Sequence, residues 1–227
     1  MTPASFASTT DLGPGAPRAV LFDLDGTLIH SHHLIVASFR HACRAVLGRE
    51  LSEADAQIRW GQPLHARFTA VAPDRVPELV DSYAAYYSEH ERRLASVFPG
   101  VPEMLAALAG AGRAIGVVTS KRSRAAVQTL RVLGLARWVT TTVGAEDAPA
   151  PKPAADPVRV ALRRLLVEPA YALMVGDGVF DIQAARAAGV RAAAALWGAE
   201  DAAGLLACRP DYVVRSPEEV TALAAPG

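Results

Sequence analysis

The sequence predicts an α/β protein whose core is a doubly wound parallel sheet of the Rossmann-like type, with an all-helical domain inserted after the first strand. From residue 98 to the C-terminus, short apolar segments of strand length alternate with amphipathic helical segments, a pattern typical of parallel sheets covered by helices. Between residues 31 and 97 the helical periodicity has no strand-like interruption. A chain of 227 residues is long enough for one such core and an insertion.

The first strand is expected at residues 19–22, which are continuously apolar and therefore suit a strand buried on both faces. Asp23 and Asp25 follow at its carboxyl end, where open α/β sheets bind their ligands. Residues two apart on an extended chain point the same way, so these carboxylates can converge, and Gly26 permits a sharp turn after them. Their repulsion favours a bound cation, most simply Mg²⁺. The alternative is that either aspartate only caps a turn.

The insertion is expected to contain helices at residues 32–47, from Ser52 toward Trp60, at 64–71 and at 73–96. Gly48 closes the first helix, Asp55 lies in the first turn of the second, and Gly61-Gln62-Pro63 separates the second from the third. We therefore expect a disordered tail at residues 1–17, a core made of residues 18–30 and 98–227, and a helical cap domain at residues 31–97.

The remaining core elements alternate along the chain. Strands are expected at residues 114–118, 138–143, 171–175, 191–196 and 212–214, and helices at 101–111, 121–133, 155–166, 179–188, 200–208 and 217–223. Right-handed crossovers between parallel strands place every carboxyl end at one edge of the sheet.

Further polar side chains follow these strands at that edge. Thr119 and Ser120 come after the second strand and either donate to a phosphate oxygen or cap the next helix. Lys152 lies between two prolines that stiffen its loop, although a single lysine is more often a surface residue. Asp177 and Asp181 follow the fourth strand, and Asp181 could instead be the cap of the next helix. Together these residues suit Mg²⁺ and a phosphoryl group.

Composition excludes several classes of function. The formal net charge is zero, so no broad basic surface is available for nucleic acid or an anionic membrane. The first seventeen residues contain no apolar segment of signal-peptide length, and no segment of the chain approaches the length of a membrane span. Two widely separated cysteines favour a reducing compartment over a disulfide scaffold, and we expect a cytoplasmic protein.

The order DLDGT, VVTS, a proline-flanked lysine and GDGVFD resembles the haloacid dehalogenase superfamily of phosphotransferases. The resemblance extends from about residue 18 to the C-terminus, and the helical insertion resembles the C1 cap of that superfamily. Segments such as FDLDGTLIHSHHLI and ALMVGDGVFDIQAARAAG are most similar to the branch of bacterial phosphoglycolate phosphatases and pyrophosphatases.

The resemblance implies a Mg²⁺-dependent phosphohydrolase that acts through an aspartyl-phosphate intermediate. Asp23 would be the nucleophile, and Asp25 would protonate the leaving oxygen and then deprotonate the attacking water. Mg²⁺ would be bound by Asp23, by Asp25 through its backbone carbonyl, and by Asp177 and Asp181. Thr119, the amide of Ser120 and Lys152 would hold the phosphoryl oxygens.

Substrate identity is less constrained than the reaction. The expected partner is a small phosphorylated metabolite or pyrophosphate, and phosphoglycolate and inorganic pyrophosphate are the leading candidates. Residues of the cap turn and the loop after the second strand are candidates for recognising its distal charge: Gln62, His65, Arg67 and Lys121.

Three histidines follow the first motif. His30 replaces an acidic or amide residue of many relatives, and His32 and His33 lie close behind it. They could bind a transition metal or contact substrate, but we favour the interpretation that they line the hinge of the cap.

Other functions on the same fold remain open. A phosphomutase of the β-phosphoglucomutase type returns the phosphoryl group to a sugar, and whether the cap excludes water decides between the two reactions. A dehalogenase is disfavoured because a halide leaving group needs neither the acid Asp25 nor a metal. A non-catalytic binding protein is disfavoured because Asp23, Asp25, Lys152 and Asp177 are all present. Both a monomer and a homodimer are compatible with the sequence.

Overall fold

The computed structural model describes residues 16–56 and 61–225. Its strands are β1 (Ala19–Phe22), β2 (Ile29–His30), β3 (Ser96–Val97), β4 (Ala114–Val118), β5 (Thr141–Val143), β6 (Ala172–Gly176), β7 (Arg191–Ala195) and β8 (Tyr212–Val214). Its α-helices are α1 (His32–Leu47), α2 (Glu53–Ala56), α3 (Leu64–Val71), α4 (Val76–Leu94), α5 (Val101–Gly110), α6 (Ser123–Val132), α7 (Asp156–Leu165), α8 (Val179–Ala187), α9 (Ala202–Ala207) and α10 (Pro217–Leu223).

Six parallel strands form the central sheet in the order β5-β4-β1-β6-β7-β8. All four residues of β1 are buried, as expected for the central strand of a sheet that is covered on both faces. At its last residue, Phe22 lies between Val117 of β4 and Val175 of β6. This register brings the loops that follow β1, β4 and β6 together, and the predicted α/β fold class is confirmed.

Helices cover both faces of the sheet. Residues of α5, α6 and α10 pack with Val20 and Phe22 on one face, whereas residues of α7, α8 and α9 pack with Ala19 and Leu21 on the other. Successive residues of a strand point to opposite faces, so a continuously apolar β1 contributes to both cores.

The inserted helices α1 to α4 have a hydrophobic core of their own. Its centre includes the rings of Phe39 and Phe68, which stack with centroids 4.5 Å apart. Ser52 and Asp55 exchange hydrogen bonds at the start of α2, as the capping pattern predicts. The predicted continuation toward Trp60 falls on residues 57–60, which lie outside the described residues.

One prediction for the insertion is wrong. The sequence indicated a helix through Ser96 and no strand between residues 31 and 97, but α4 ends at Leu94 and β3 pairs antiparallel with β2. The two segments that enter and leave the insertion lie side by side, so their backbone groups hydrogen-bond to each other. A pair of two-residue strands is too short to show the alternation by which a strand is recognised.

Smaller differences occur at element ends. The strand predicted at residues 138–143 is limited to Thr141–Val143, because backbone hydrogen bonds at Trp138 and Val139 form turns. Helix α6 begins at Ser123 rather than at residue 121, which leaves Lys121 in the loop after β4. Of the predicted tail, residues 1–15 are outside the described range and Pro17 is buried. No helix in the described ranges is both long and apolar enough to span a bilayer.

Candidate active site

Three carboxylates converge at the carboxyl edge of the sheet. Asp23 follows β1, whereas Asp177 and Asp181 belong to the loop after β6 and the first turn of α8. One oxygen from each lies within 4.8 Å of the others, and this is the one group with metal-ligand spacing among the residues that the structure describes. Such a set of oxygen ligands suits a hard divalent cation.

Asp23 is at the centre of this group. Its Oδ1 lies 3.0 Å from Nζ of Lys152, in an ion pair that lacks hydrogen-bond geometry, and this buried oxygen has no hydrogen-bond partner in the described chain. Burial raises the pKa of Asp23 to about 7, Lys152 opposes the rise, and the charges of Asp181 and Asp25 add to it. Ionised Asp23 therefore needs more positive charge than Lys152 alone supplies.

Asp177 has a comparable environment. Thr27 Oγ1 donates a hydrogen bond to its Oδ1 over 2.6 Å. Burial and the neighbouring charges of Asp23 and Asp181 nevertheless raise the pKa of Asp177 well above its ordinary value. Two adjacent carboxyls that are both difficult to ionise indicate a site suited to a cation.

Lys152 and Asp181 form the buried base of the site. Nζ of Lys152 donates to Asp181 Oδ1 over 2.6 Å and to the carbonyl oxygen of Val118 over 3.2 Å. Burial lowers the pKa of Lys152, but the charges of Asp181 and Asp23 more than offset this and raise it above its usual value. Asp181 Oδ2 also accepts from the Gly178 amide at the start of α8. Asp181 therefore caps a helix and belongs to the carboxylate group as well.

The residues after β4 have separate partners. Thr119 is buried, and its Oγ1 accepts a hydrogen bond from the Lys121 amide, so the hydroxyl hydrogen can be donated toward the site. The Ser120 hydroxyl donates to the Gly61 carbonyl oxygen of the cap over 2.8 Å. Its side chain thus contacts the cap, and only its amide remains for the predicted phosphate contact.

Asp25 points to a different set of groups from Asp23. Its Oδ1 accepts hydrogen bonds from Ser31 Oγ over 2.6 Å and from Lys121 Nζ over 2.9 Å. Lys121 Nζ also donates to the hydroxyl of Tyr87, on α4 of the cap, over 2.8 Å. The predicted acid is thereby connected to the cap through Lys121.

Other contacts hold the cap against the core. Gly61, in the turn that contains half-buried Gln62, approaches Phe180 so closely that a Cβ at Gly61 would lie 3.3 Å from its ring. Deeper in the interface, the Thr129 hydroxyl of α6 donates to the buried Glu91 carboxylate of α4. The cap therefore rests on the loops that contain the site.

The other predicted specificity residues are not at the carboxylates. Arg67 is 4% exposed, its guanidinium lies over the ring of Phe39, and it donates to the Ala56 carbonyl oxygen. This places Arg67 in the cap core, which corrects the expectation that it faces substrate: α3 turns this side chain inward. His65 is exposed on the same helix, where its carbonyl oxygen accepts from the Thr69 hydroxyl.

The three histidines lie where β2 meets α1. His30 packs near Phe98 and His33, with ring centroids 5.4 and 6.0 Å away. His32 Nδ1 lies 3.0 Å from a carboxylate oxygen of Glu200, and burial lowers the pKa of this histidine. A cavity of about 20 Å³ is lined by His30 and His32 together with Asp25 and Asp177.

Sequence reasoning missed Ser31 and Tyr87 at this site. Tyr87 belongs to the apolar stripe of α4, and a stripe of that kind predicts core packing rather than a contact with Lys121. Ser31 precedes α1 and resembles an ordinary helix cap. No sequence motif at Ser31 or Tyr87 distinguishes a contact at the site from helix capping or core packing.

Comparisons with known proteins agree with this geometry. The family model for haloacid dehalogenase-like hydrolases matches residues 20–195. Pyrophosphatase PpaX of Bacillus velezensis is 34% identical over 202 residues, which cover 89% of this chain and 94% of that protein. PpaX of Bacillus pumilus is 31% identical over 206 residues, covering 91% of this chain and 95% of the relative.

Solved structures of haloacid dehalogenase-like and phosphatase proteins are also similar to this chain over most of its length. The haloacid dehalogenase-like hydrolase SP0104 from Streptococcus pneumoniae has a TM-score of 0.79 and 29% identity, over 91% of this chain and 97% of that one. A candidate phosphoglycolate phosphatase from Lactobacillus plantarum has a TM-score of 0.81 and 27% identity, over 92% and 99% of the two chains. The chain that brings Asp23, Thr119, Lys152 and Asp177 to one edge of its sheet belongs to the haloacid dehalogenase-like hydrolases.

Proposed function

We propose that this hydrolase is a Mg²⁺-dependent phosphatase that acts through an aspartyl-phosphate on Asp23. The observation that carries the proposal is the position of Asp23 Oδ1, a buried oxygen beside Lys152 and within 4.8 Å of two further carboxylates. A nucleophilic carboxylate needs this combination of an available oxygen and nearby positive charge.

The donor set fits Mg²⁺. Oxygens of Asp23, Asp177 and Asp181 lie close enough to share one cation. The repulsion among these carboxylates contributes to the raised pKa values of Asp23 and Asp177, and a bound cation would relieve it. The family resemblance adds the backbone carbonyl of Asp25. When bound, the ion neutralises charge on the phosphoryl group and on the carboxylates.

The chain's own residues account for both halves of the reaction. A carboxylate oxygen of Asp23 forms a bond to phosphorus as the bond to the leaving oxygen breaks, and Asp25 donates a proton to that oxygen. Asp25 then removes a proton from water as the water oxygen attacks phosphorus, which releases phosphate and restores Asp23. Thr119, the amide of Ser120 and Lys152 hold the remaining phosphoryl oxygens.

The proposed substrate is small and phosphorylated, with inorganic pyrophosphate and phosphoglycolate as the leading candidates. The names of the two PpaX relatives support pyrophosphate, and that of the Lactobacillus plantarum protein supports phosphoglycolate. The contact between the Gly61 turn and the site supports a small substrate, because the cap covers the loop after β4.

The proposal is tested by replacing Asp23 with Asn and measuring phosphate release from pyrophosphate and phosphoglycolate with Mg²⁺ present. An amide cannot form the acyl phosphate, so we expect turnover to fall to background while the fold is retained. Asp74→Asn, which removes an exposed carboxylate of the cap, is the matched control and should retain activity.

Two results would contradict the proposal. Phosphate release by purified Asp23→Asn at the rate of the unmodified protein would exclude Asp23 as the nucleophile. Conversion of a sugar phosphate to its isomer without release of free phosphate would instead identify a phosphomutase.

A further inference from the structure

Lys121 occupies a partly enclosed position between the core and the cap. Its side chain is 11% exposed, and its ammonium contacts the Asp25 carboxylate at 2.9 Å and the Tyr87 hydroxyl at 2.8 Å. The ammonium also lies 4.3 Å from the centroid of the Tyr87 ring. Burial lowers the pKa of Lys121, but Asp25, Tyr87 and Tyr83 more than offset this effect and raise the pKa above its usual value. The side chain therefore remains charged.

This position is next to the leaving group of any substrate that Asp25 protonates. Proton donation requires the leaving oxygen to come within about 3 Å of the Asp25 carboxyl. Because Lys121 Nζ is 2.9 Å from the same carboxyl, it can reach atoms bonded to the leaving oxygen. An ammonium has three N–H donors. Asp25 and Tyr87 use two of them within the described ranges, and a substrate anion can take the third.

The other lysine and arginine side chains near this loop are exposed or already paired. Arg122 is exposed and pairs with Glu146, and Arg124 is exposed on α6. Lys152 is already paired with Asp23 and Asp181 on the side where the transferred phosphoryl group is expected. Among the lysines and arginines near this loop that the structure describes, Lys121 is therefore the one placed beside Asp25, where it can meet charge on the departing half of the substrate.

We propose that Lys121 and Tyr87 form a leaving-group subsite, which selects substrates whose leaving group has an anion within two bonds of the leaving oxygen. The second phosphoryl group of pyrophosphate and the carboxylate of phosphoglycolate share this chemistry. Tyr87 belongs to α4, so the subsite is complete only when the cap contacts the core. The inference rests on the proposed phosphatase function, and it specifies that the leaving group of the preferred substrate is negatively charged.

The experiment compares substrates whose leaving groups carry or lack that charge. Phosphoglycolate is paired with phosphoglycolamide, its neutral amide, and pyrophosphate is paired with methyl phosphate. We expect kcat/KM of the unmodified protein to be about tenfold or more higher for phosphoglycolate than for its amide, as is typical of a hydrogen bond to a charged group. Methanol is also a more basic leaving group than phosphate, so for the pyrophosphate pair the test is how far Lys121→Gln changes the ratio of the two kcat/KM values. The higher of the two anionic values then distinguishes phosphoglycolate from pyrophosphate as the preferred source of the anion.

Lys121→Gln should remove most of this preference, mainly by lowering kcat/KM for the anionic substrates. Tyr87→Phe retains the ring and should reduce the preference by a smaller factor, which provides a test even if the lysine variant does not fold. Arg124→Gln removes a neighbouring exposed charge and should leave the preference unchanged. An equal loss on charged and neutral substrates in both variants would overturn the subsite, because it would mean that Lys121 and Tyr87 only orient Asp25.

Failure of the proposed function gives a different result. If the unmodified protein hydrolyses none of the four compounds, the phosphatase proposal fails. The subsite is then tested by thermal shift of Asp23→Asn with phosphoglycolate or phosphoglycolamide. A larger shift with the acid supports the subsite, and equal shifts overturn it.

Discussion

Gly26 lies where the loop after β1 meets the loop after β6. Its φ is 90°, in the left-handed region that favours glycine, and a Cβ at this position would collide with the Asp177 carboxylate. The turn after Asp25 therefore requires glycine for its backbone conformation and for the approach of the second acidic loop.

We expect Gly26→Ala to lower kcat by at least about tenfold, because displacing Asp177 disturbs the cation site. Gly48→Ala is the matched control: Gly48 also has a positive φ, of 63°, but a Cβ there meets nothing within 4 Å. Both variants bear the backbone strain, so both should lose some stability in thermal unfolding. Equal kcat values for the two variants would show that the approach to Asp177 is unimportant.

At the scale of elements, α3 directs the Arg67 side chain into the core of the cap. Arg67 is enclosed between Phe39 and the Ala56 carbonyl, where its apolar stem packs and its guanidinium donates. Helical periodicity shows that α3 has an apolar and a polar face. Arginine has both an apolar stem and a charged end, so the pattern does not decide whether Arg67 is buried or exposed. Which face turns inward depends on helices elsewhere in the insertion.

Arg67→Ala should reduce the free energy of unfolding by about 2 kcal/mol or more, through lost packing and a lost buried hydrogen bond. Urea unfolding measures this loss, and His65→Ala on the exposed face of the same helix should change stability by less than about 0.5 kcal/mol. The ratio of kcat/KM for phosphoglycolate and phosphoglycolamide should be unchanged in Arg67→Ala. A selective loss on phosphoglycolate would restore Arg67 as a residue that recognises the distal charge.

For the whole molecule, we expect the carboxylate group to make stability depend on pH and on a bound metal ion. Burial raises the pKa of Asp23 from 3.8 to about 7, so the folded metal-free chain retains this proton over a range in which the unfolded chain has lost it. Asp177 is shifted in the same direction. Because the folded state binds more protons in this range, the free energy of unfolding falls as pH rises from about 4 to 7.

In chelator, we therefore expect urea unfolding to show lower stability at pH 8 than at pH 5. Mg²⁺ binds the ionised carboxylates and should raise stability more at pH 8 than at pH 5. Asp23→Asn removes one of the two shifted groups and should show a smaller fall. His32, whose pKa is lowered by burial, acts in the opposite direction, so the decisive comparison is between the two proteins: an equal change from pH 5 to pH 8 in Asp23→Asn and in the unmodified protein would contradict this account.

The sequence predicts much of this organisation, and the reason is local. Asp23, Thr119 and Asp177 each directly follow an apolar strand, and parallel pairing is enough to bring such positions to one edge. The contact between Lys121 and Tyr87 joins residues 34 positions apart and depends on how the cap rests on the core. No local pattern encodes that orientation, so the sequence alone identified Lys121 as a candidate without identifying its partners.

The paired strands β2 and β3 also bear on how such a protein evolves. The chain leaves the core after His30 and returns at Ser96, which are opposite each other in the ladder. An insertion whose two ends are adjacent can be exchanged for another without changing the register of β1. A lineage can therefore acquire a new cap, and with it a new substrate specificity, while the residues at the edge of the sheet remain unchanged.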